Sequence, residues 1–180
     1  MHHATRHNGV ASTIPEVCSD PAAADVLAIV VRAVFQAGVS WAQIARTWDA
    51  YERAFDSFDP AVVAAFDSTD VDRILAEPGI LRMPRKVHAT IANARALVEI
   101  AREFGSFSAY AASFAEYAAL ESDMRRRFSH LGEMNVWYVL FRCGLPVPRF
   151  EPWVATIKGD HPRMREMVEL ARTQGRSPER

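Results

Sequence analysis

Apolar residues recur at steps of three and four along nearly the whole chain, and no segment alternates apolar and polar residues with a period of two. The pattern predicts helices only. After a polar lead over residues 1–20, Asp20-Pro21 offers a cap and a first-turn proline for a helix that reaches Phe35 and is stopped by Gly38. Ser40-Trp41-Ala42-Gln43 has the spacing of a capping box, in which the serine bonds forward and the glutamine back, and predicts a second helix to Phe55. Asp59-Pro60 opens a short helix over 62–66, and Thr69-Asp70-Val71-Asp72 opens another that ends before Pro78-Gly79. From Pro84, the stripe Val87, Ile91, Ala94, Leu97, Val98 and Ala101 predicts a long central helix ended by Phe104-Gly105. Further helices are expected over 107–117, 120–128 and 134–143, the last two joined by the tight turn Ser129-His130-Leu131-Gly132. Prolines at 146, 148 and 152 predict an extended segment over 145–153, followed by a helix over 162–172 and a disordered tail over 175–180. Trp48 and Trp137 fall on apolar faces and are assigned to the core.

Composition narrows the class. With 180 residues, 49% of them hydrophobic and 24% charged, the chain can bury one core, and a single helical domain in two lobes over 21–174 is expected. The longest apolar runs, Val26 to Val31 and Val136 to Phe141, have six residues each, so no membrane span is expected. Residues 1–9 show neither a secretory leader nor a lipid anchor, and a cytoplasmic monomer is expected. Cys18 and Cys143 are too few for a disulfide framework and are expected to be reduced. The net charge of -1 hides a gradient: residues 41–80 carry three basic and eight acidic groups, whereas 81–180 carry sixteen and eleven. A basic second half is compatible with a phosphate-rich partner, and equally with solvated helix faces.

The turn at Gly132 is the first feature that points to chemistry. A glycine there lets the backbone approach a phosphate, and the free N–H groups that begin the next helix suit an anion. An ordinary αα-hairpin has the same elements. The order from the helix ending at Phe128, through His130, Leu131 and Gly132, to the stop at Gly144 and the acid Glu151, resembles a helix-hairpin-helix motif followed by the acidic residue of base-excision glycosylases. The blocks Gln36-Ala37-Gly38-Val39-Ser40-Trp41, Tyr51-Glu52-Arg53-Ala54-Phe55, Phe58-Asp59-Pro60, Gly79-Ile80-Leu81-Arg82, Arg85-Lys86 and Ile91-Ala92-Asn93-Ala94-Arg95-Ala96 extend the likeness. Together they resemble the type I 3-methyladenine DNA glycosylases over residues 22–145.

The resemblance implies an all-α, two-lobed bundle of the helix-hairpin-helix glycosylase type, acting on double-stranded DNA with an alkylated base and needing no cofactor. It makes Trp41 the stacking wall of a base pocket that Gln36, Ala33 and Phe35 adjoin, and Val39 the apolar plug that enters the duplex. Arg82, Arg85, Lys86, His130, Leu131 and Gly132 become candidate DNA contacts, with Arg125 to Arg127 as a second basic group. Two departures stand out. Eight residues before the tryptophan the family has a base-recognising glutamate, and here that position is Ala33. Family members also commonly tie their termini with a zinc held by two cysteines and two histidines; this chain has His2, His3 and His7 early but only His161 late, and no cysteine beyond Cys143, so no metal is expected. Glu151 is then the candidate catalytic acid, stabilising a sugar cation and positioning water, with DNA-positioning and plain surface roles as alternatives. Three functions remain open: a monofunctional N-glycosylase, a DNA-binding module that has lost excision, and a pocket for a free nucleobase-like metabolite.

Overall fold

The apolar stripe that begins at Pro84 forms the longest helix and the hub of the molecule. In the computed structural model, which describes residues 13–180, the order is α1 (Ala23–Gln36), α2 (Trp41–Arg46), α3 (Trp48–Ala54), a 3-10 turn (Asp56–Phe58), α4 (Pro60–Ala64), α5 (Ser68–Ala76), α6 (Pro84–Phe104), α7 (Phe107–Ala112), α8 (Tyr117–Arg127), α9 (Glu133–Arg142), α10 (Phe150–Val154) and α11 (Pro162–Thr173). The expected all-α class is observed: among the described residues the only β-type pairing is an isolated bridge between Val147 and Glu179. Helix α6 packs against α1, α4, α5 and α7, and α1 also packs against α9. The buried side chains form one contiguous cluster that runs from Val17 to Ala171 and includes Trp137. No described helix is long and apolar enough to cross a membrane.

Several local expectations are corrected. Asp20 does not cap α1; Ala22 stands at the cap, and its N–H donates to the Asp25 carboxylate at 2.9 Å. The Ser40 side chain makes no capping bond, and the helix expected to reach Phe55 breaks at Thr47, whose hydroxyl bonds back to the carbonyl of Gln43. Beyond that break, Trp48 is half-buried and stacks on Phe58 at 5.0 Å and on Tyr51 at 5.6 Å. The segment expected to be extended up to Trp153 turns helical at Phe150 despite Pro152. Proline is tolerated there because first-turn N–H groups have no intrahelical partner to lose. Gly144 has φ +70°, and a Cβ there would stand 2.6 Å from the carbonyl oxygen of Cys18, so only glycine lets α9 end against the incoming chain.

The tail over 175–180 is the largest correction. Rather than being disordered, it is pinned: Arg180 N–H donates to Val147 O at 2.8 Å, and the Glu179 carboxylate accepts from Phe150 N–H at 2.8 Å. Arg172 ties the bundle together, pairing with Glu179, Glu169 and Glu151 at 2.7–2.8 Å. Among the described residues no three histidine, cysteine or acidic side chains are grouped to hold a metal ion, and His2, His3 and His7 lie outside the described residues.

Burial opposes ionisation of Glu179, but the bonds from Arg172, Ser177 and Phe150 N–H outweigh it and lower its pKa. A carboxylate depressed in the folded state stabilises the fold above its unfolded pKa, about 4.3, and loses that contribution as pH falls further. Glu179→Gln is therefore expected to lower the melting temperature at pH 7 by about 3–12 °C, the range for a charge-assisted hydrogen bond in a chain of this size. Thermal scans from pH 7 to pH 2 should show the gap between parent and variant closing below about pH 4.3; a gap that stays constant down to pH 2 would exclude the ionic tether.

Candidate active site

Helix α1 ends at Gln36 and the chain reverses at Gly38, whose φ of +76° suits glycine, before entering α2 at Trp41. What holds this turn is Lys86. Its ammonium reaches from the first turn of α6 to the carbonyls of Phe35 at 3.2 Å and Ala37 at 2.8 Å, both at the C-terminal end of α1. A cation there complements the negative end of the helix and satisfies carbonyls that have no helical partner. Lys86 is buried, and burial pushes its pKa down. The expected phosphate contact is thus corrected, because the ammonium is buried and held by two carbonyls inside the fold.

The turn forms one wall of a cavity of about 320 Å³, in the lower part of the size range of small-molecule sites, roughly 300–1,000 Å³. Ala33, Gln36 and Trp41 line it from α1 and α2; Met134, Asn135 and Tyr138 face them from α9, and His161, just before α11, and Met164, within it, approach from the C-terminal side. Trp41 is half-buried and meets Tyr138 edge-to-face, ring centroids 5.7 Å apart, while the Tyr138 hydroxyl accepts from Arg142 at 2.7 Å. Gln36 is buried, and neither its Oε1 nor its Nε2 has a hydrogen-bond partner. Three of the four expected pocket residues therefore share this cavity. Phe35 does not: it is fully buried on the other side of α1, edge-on to Tyr51 at 4.9 Å. The contributions of α9 and α11 were not foreseen, because nothing local in their sequences distinguishes a cavity wall from a core face.

Val39 is half-buried beside this cavity, in an adjoining hollow with Trp41 and His161. Arg82 and Arg85 are exposed and make no ion pair among the described residues. The turn before α9 is clamped by the fully buried Asn93 of α6, whose Oδ1 accepts from Ser129 N–H at 2.6 Å and whose Nδ2 donates to Ser129 O at 3.0 Å. His130 is exposed with φ 59°, and Leu131 is buried, so its side chain anchors the turn in the core and leaves only its backbone for an outside contact. Gly132 is exposed at the start of α9, which has no side-chain cap, and a Cβ there would meet nothing within 4 Å. Arg125, Arg126 and Arg127 are all paired, with Glu121 and Glu133, with Asp123, and with Glu103 and Asp123 respectively.

Glu151 requires the sharpest correction. Both carboxylate oxygens accept from Arg172, at 2.7 and 2.8 Å, and that pairing takes its pKa down to about 2. It does not line the cavity beside Trp41. An acid held this way closes the C-terminal bundle. A larger hollow, about 450 Å³, lies between α7, α8 and residues 145–148; it is mainly apolar, and none of the expected site residues lines it.

Comparison with known proteins gives this arrangement a context. Residues 23–135 match the methyladenine glycosylase family model. DNA-3-methyladenine glycosylase 1 of Escherichia coli is 35% identical over 82 residues, 46% of this chain and 44% of that protein. The DNA-3-methyladenine glycosylase of Haemophilus influenzae is 29% identical over 89 residues, 49% of this chain and 48% of that protein. The matched region thus spans about half the length of these curated relatives. A crystal structure of a variant of 3-methyladenine DNA glycosylase I from Staphylococcus aureus is similar with a TM-score of 0.62 at 25% identity, covering 72% of this chain and 79% of that one.

The structural role of Lys86 separates it from its basic neighbours. Lys86→Met strips two carbonyls of their donor and is expected to cost about 1–3 kcal/mol in denaturant unfolding. Arg82→Met and Arg85→Met, on the open surface, should stay within about 0.5 kcal/mol of the parent. An Arg82 or Arg85 effect larger than that of Lys86 would remove the tether from its place in the fold.

Proposed function

The chain belongs to the methyladenine glycosylase family, and from that premise we propose that it is a monofunctional DNA N-glycosylase that hydrolyses the bond between an alkylated base and deoxyribose in double-stranded DNA. The observation that carries this reading is Trp41, an indole held edge-on by Tyr138 at the wall of a cavity suited in size to a small ligand. A base taken out of the duplex stacks on that indole, and a positively charged alkylated ring gains further from the aromatic face. Val39, beside the cavity mouth, fills the gap left in the stack and offsets part of its cost. A cationic base departs as a neutral one, so its release makes little demand on an acid. Among the described residues no lysine lines the cavity to form a Schiff base, and water is the acceptor of the sugar.

Duplex DNA is held by backbone rather than by side chains at the turn before α9. At 132, where φ is -83° and a side chain would meet open space, glycine keeps the backbone at the start of α9 open to close approach from outside. Exposed Arg82 and Arg85 add phosphate contacts. The protein acts as a helix-hairpin-helix monomer in this reading. A second reading, damage recognition without efficient excision, is favoured by one observation: among the described residues no carboxylate lines the cavity, and Ala33 stands where the family resemblance places a glutamate.

Base release from methylated DNA, run beside binding to a duplex with an abasic-site analogue, separates the two readings, since the second gives binding alone. Loss of one charge-assisted bond costs about 1.5–3 kcal/mol, so 3-methyladenine release by the parent should be slow, and Ala33→Glu should raise it by about ten- to a hundredfold. Trp41→Ala should abolish it. Rapid and selective release by the parent, or indifference to Trp41→Ala, would defeat the assignment of this cavity.

Gly132→Val tests the DNA contact. The open space at its Cβ predicts an unchanged melting temperature, while affinity for duplexes of every sequence should fall by a similar factor, because phosphate contacts carry no base information. Unaltered binding by a folded variant would rule out the backbone contact.

A further inference from the structure

Among the residues that line the cavity, one buried polar side chain is left without any partner. Gln36 is 5% exposed, yet its amide oxygen and nitrogen form no hydrogen bond. A buried amide in that state is unfavourable, because each group has given up its water without a replacement. Its polar neighbours are bonded elsewhere. The Asn135 amide is turned to the carbonyl of His130 at 3.4 Å, the Tyr138 hydroxyl is taken by Arg142, and the His161 ring nitrogen Nε2 faces Lys158 O at 3.1 Å. One turn earlier on α1, Ala33 presents only a methyl group. Among the described residues no carboxylate, ammonium or guanidinium lines the cavity, so they offer no fixed charge to select a charged ring over a neutral one.

A primary amide presents a donor and an acceptor side by side. Its complement is a planar edge with an acceptor beside a donor, which is how glutamine and asparagine read the amino group and ring nitrogen of adenine. The geometry points to Gln36 as the specificity-determining residue of this cavity: by turning its amide, which is closed off from solvent, toward the cavity, it reads a purine by an edge bearing an amino donor beside a ring acceptor, whatever the charge on the ring, while the ring stacks on Trp41. This deepens the base-pocket reading above and rests on it. The carboxylate carried at position 33 in the family selects by charge, and with alanine there, selection passes to hydrogen-bond pattern. A purine that lacks the donor leaves the Gln36 oxygen unpaired in the bound state and is rejected on that account.

Equilibrium dialysis of the full chain with free bases tests this without relying on catalysis. Adenine carries the donor, and 6-dimethylaminopurine keeps the ring, the stacking and the neutrality but has lost it. The parent is expected to bind adenine about tenfold or more tighter, equal to about 1.4 kcal/mol. Gln36→Leu should bring the two bases to within about twofold of each other, and Gln36→Met, which keeps the length of the side chain, should do the same. Both variants should melt no lower than the parent, since they replace an unpaired amide with an apolar group; a clear loss of stability would mark Gln36 as structural instead. Equal binding of the two bases by the parent, no binding of either, or a preference that survives in both variants would each overturn the assignment. If the adenine preference and its loss stand while no base is released from any duplex, the glycosylase reading fails and the recognition by Gln36 does not.

Discussion

The Lys86 ammonium, lodged between the carbonyls of Phe35 and Ala37, is the contact on which the arrangement of the site depends. A lysine is expensive to bury, and here it is compensated by the negative end of α1 and by two acceptors that would otherwise be unpaired. The same helix carries a second tether of the same kind. Asn93, two turns further along α6, holds both backbone groups of Ser129. One rigid helix therefore sets the turn that presents Gln36 and Trp41 and also the turn that presents Gly132. Distances across the candidate DNA face are fixed by the spacing of residues on α6 rather than by flexible loops.

The cavity held by these tethers is chemically unusual for what surrounds it. Among the described residues its walls are an indole, a phenol ring, two methionines and small aliphatic groups, and its polar components are amides and an imidazole, with no acid. Ala33 is itself buried, so solvent does not stand in at the position where the resemblance places a glutamate. A neutral lining shifts discrimination from charge to shape and hydrogen-bond pattern, and the unpaired Gln36 amide is where that pattern is concentrated.

At the other end of the molecule, charge does structural work. Arg172 gathers Glu151, Glu169 and Glu179 and so binds α10, α11 and the last residues into one unit. The acid most suggestive of catalysis in the sequence is thereby committed to architecture. A carboxylate with both oxygens on a guanidinium is held ionised, and away from the cavity beside Trp41 it serves as a strut between α10 and α11.

Helix identity was legible in the residues themselves: the stripe from Val87 to Ala101, the Asp59-Pro60 start and the glycine stops all act within about one turn of chain, so the sequence carries their full cause. The blocks around Gln36 to Trp41 were likewise enough to locate a cavity wall. Lys86 left a signal as well, since it shares the buried row Thr90, Asn93, Leu97 and Ile100, but its charge argued for the surface. Its partners lie 49 and 51 residues away, those of Asn93 lie 36 away, and Arg172 meets Glu151 across 21. Whether a cation faces phosphate or a helix end, whether Phe35 or Ala33 borders the cavity, and whether Glu151 meets water or arginine are decided by which faces pack together. That choice belongs to the tertiary structure, because burial depends on neighbours distant in sequence while periodicity and capping depend on neighbours within a turn.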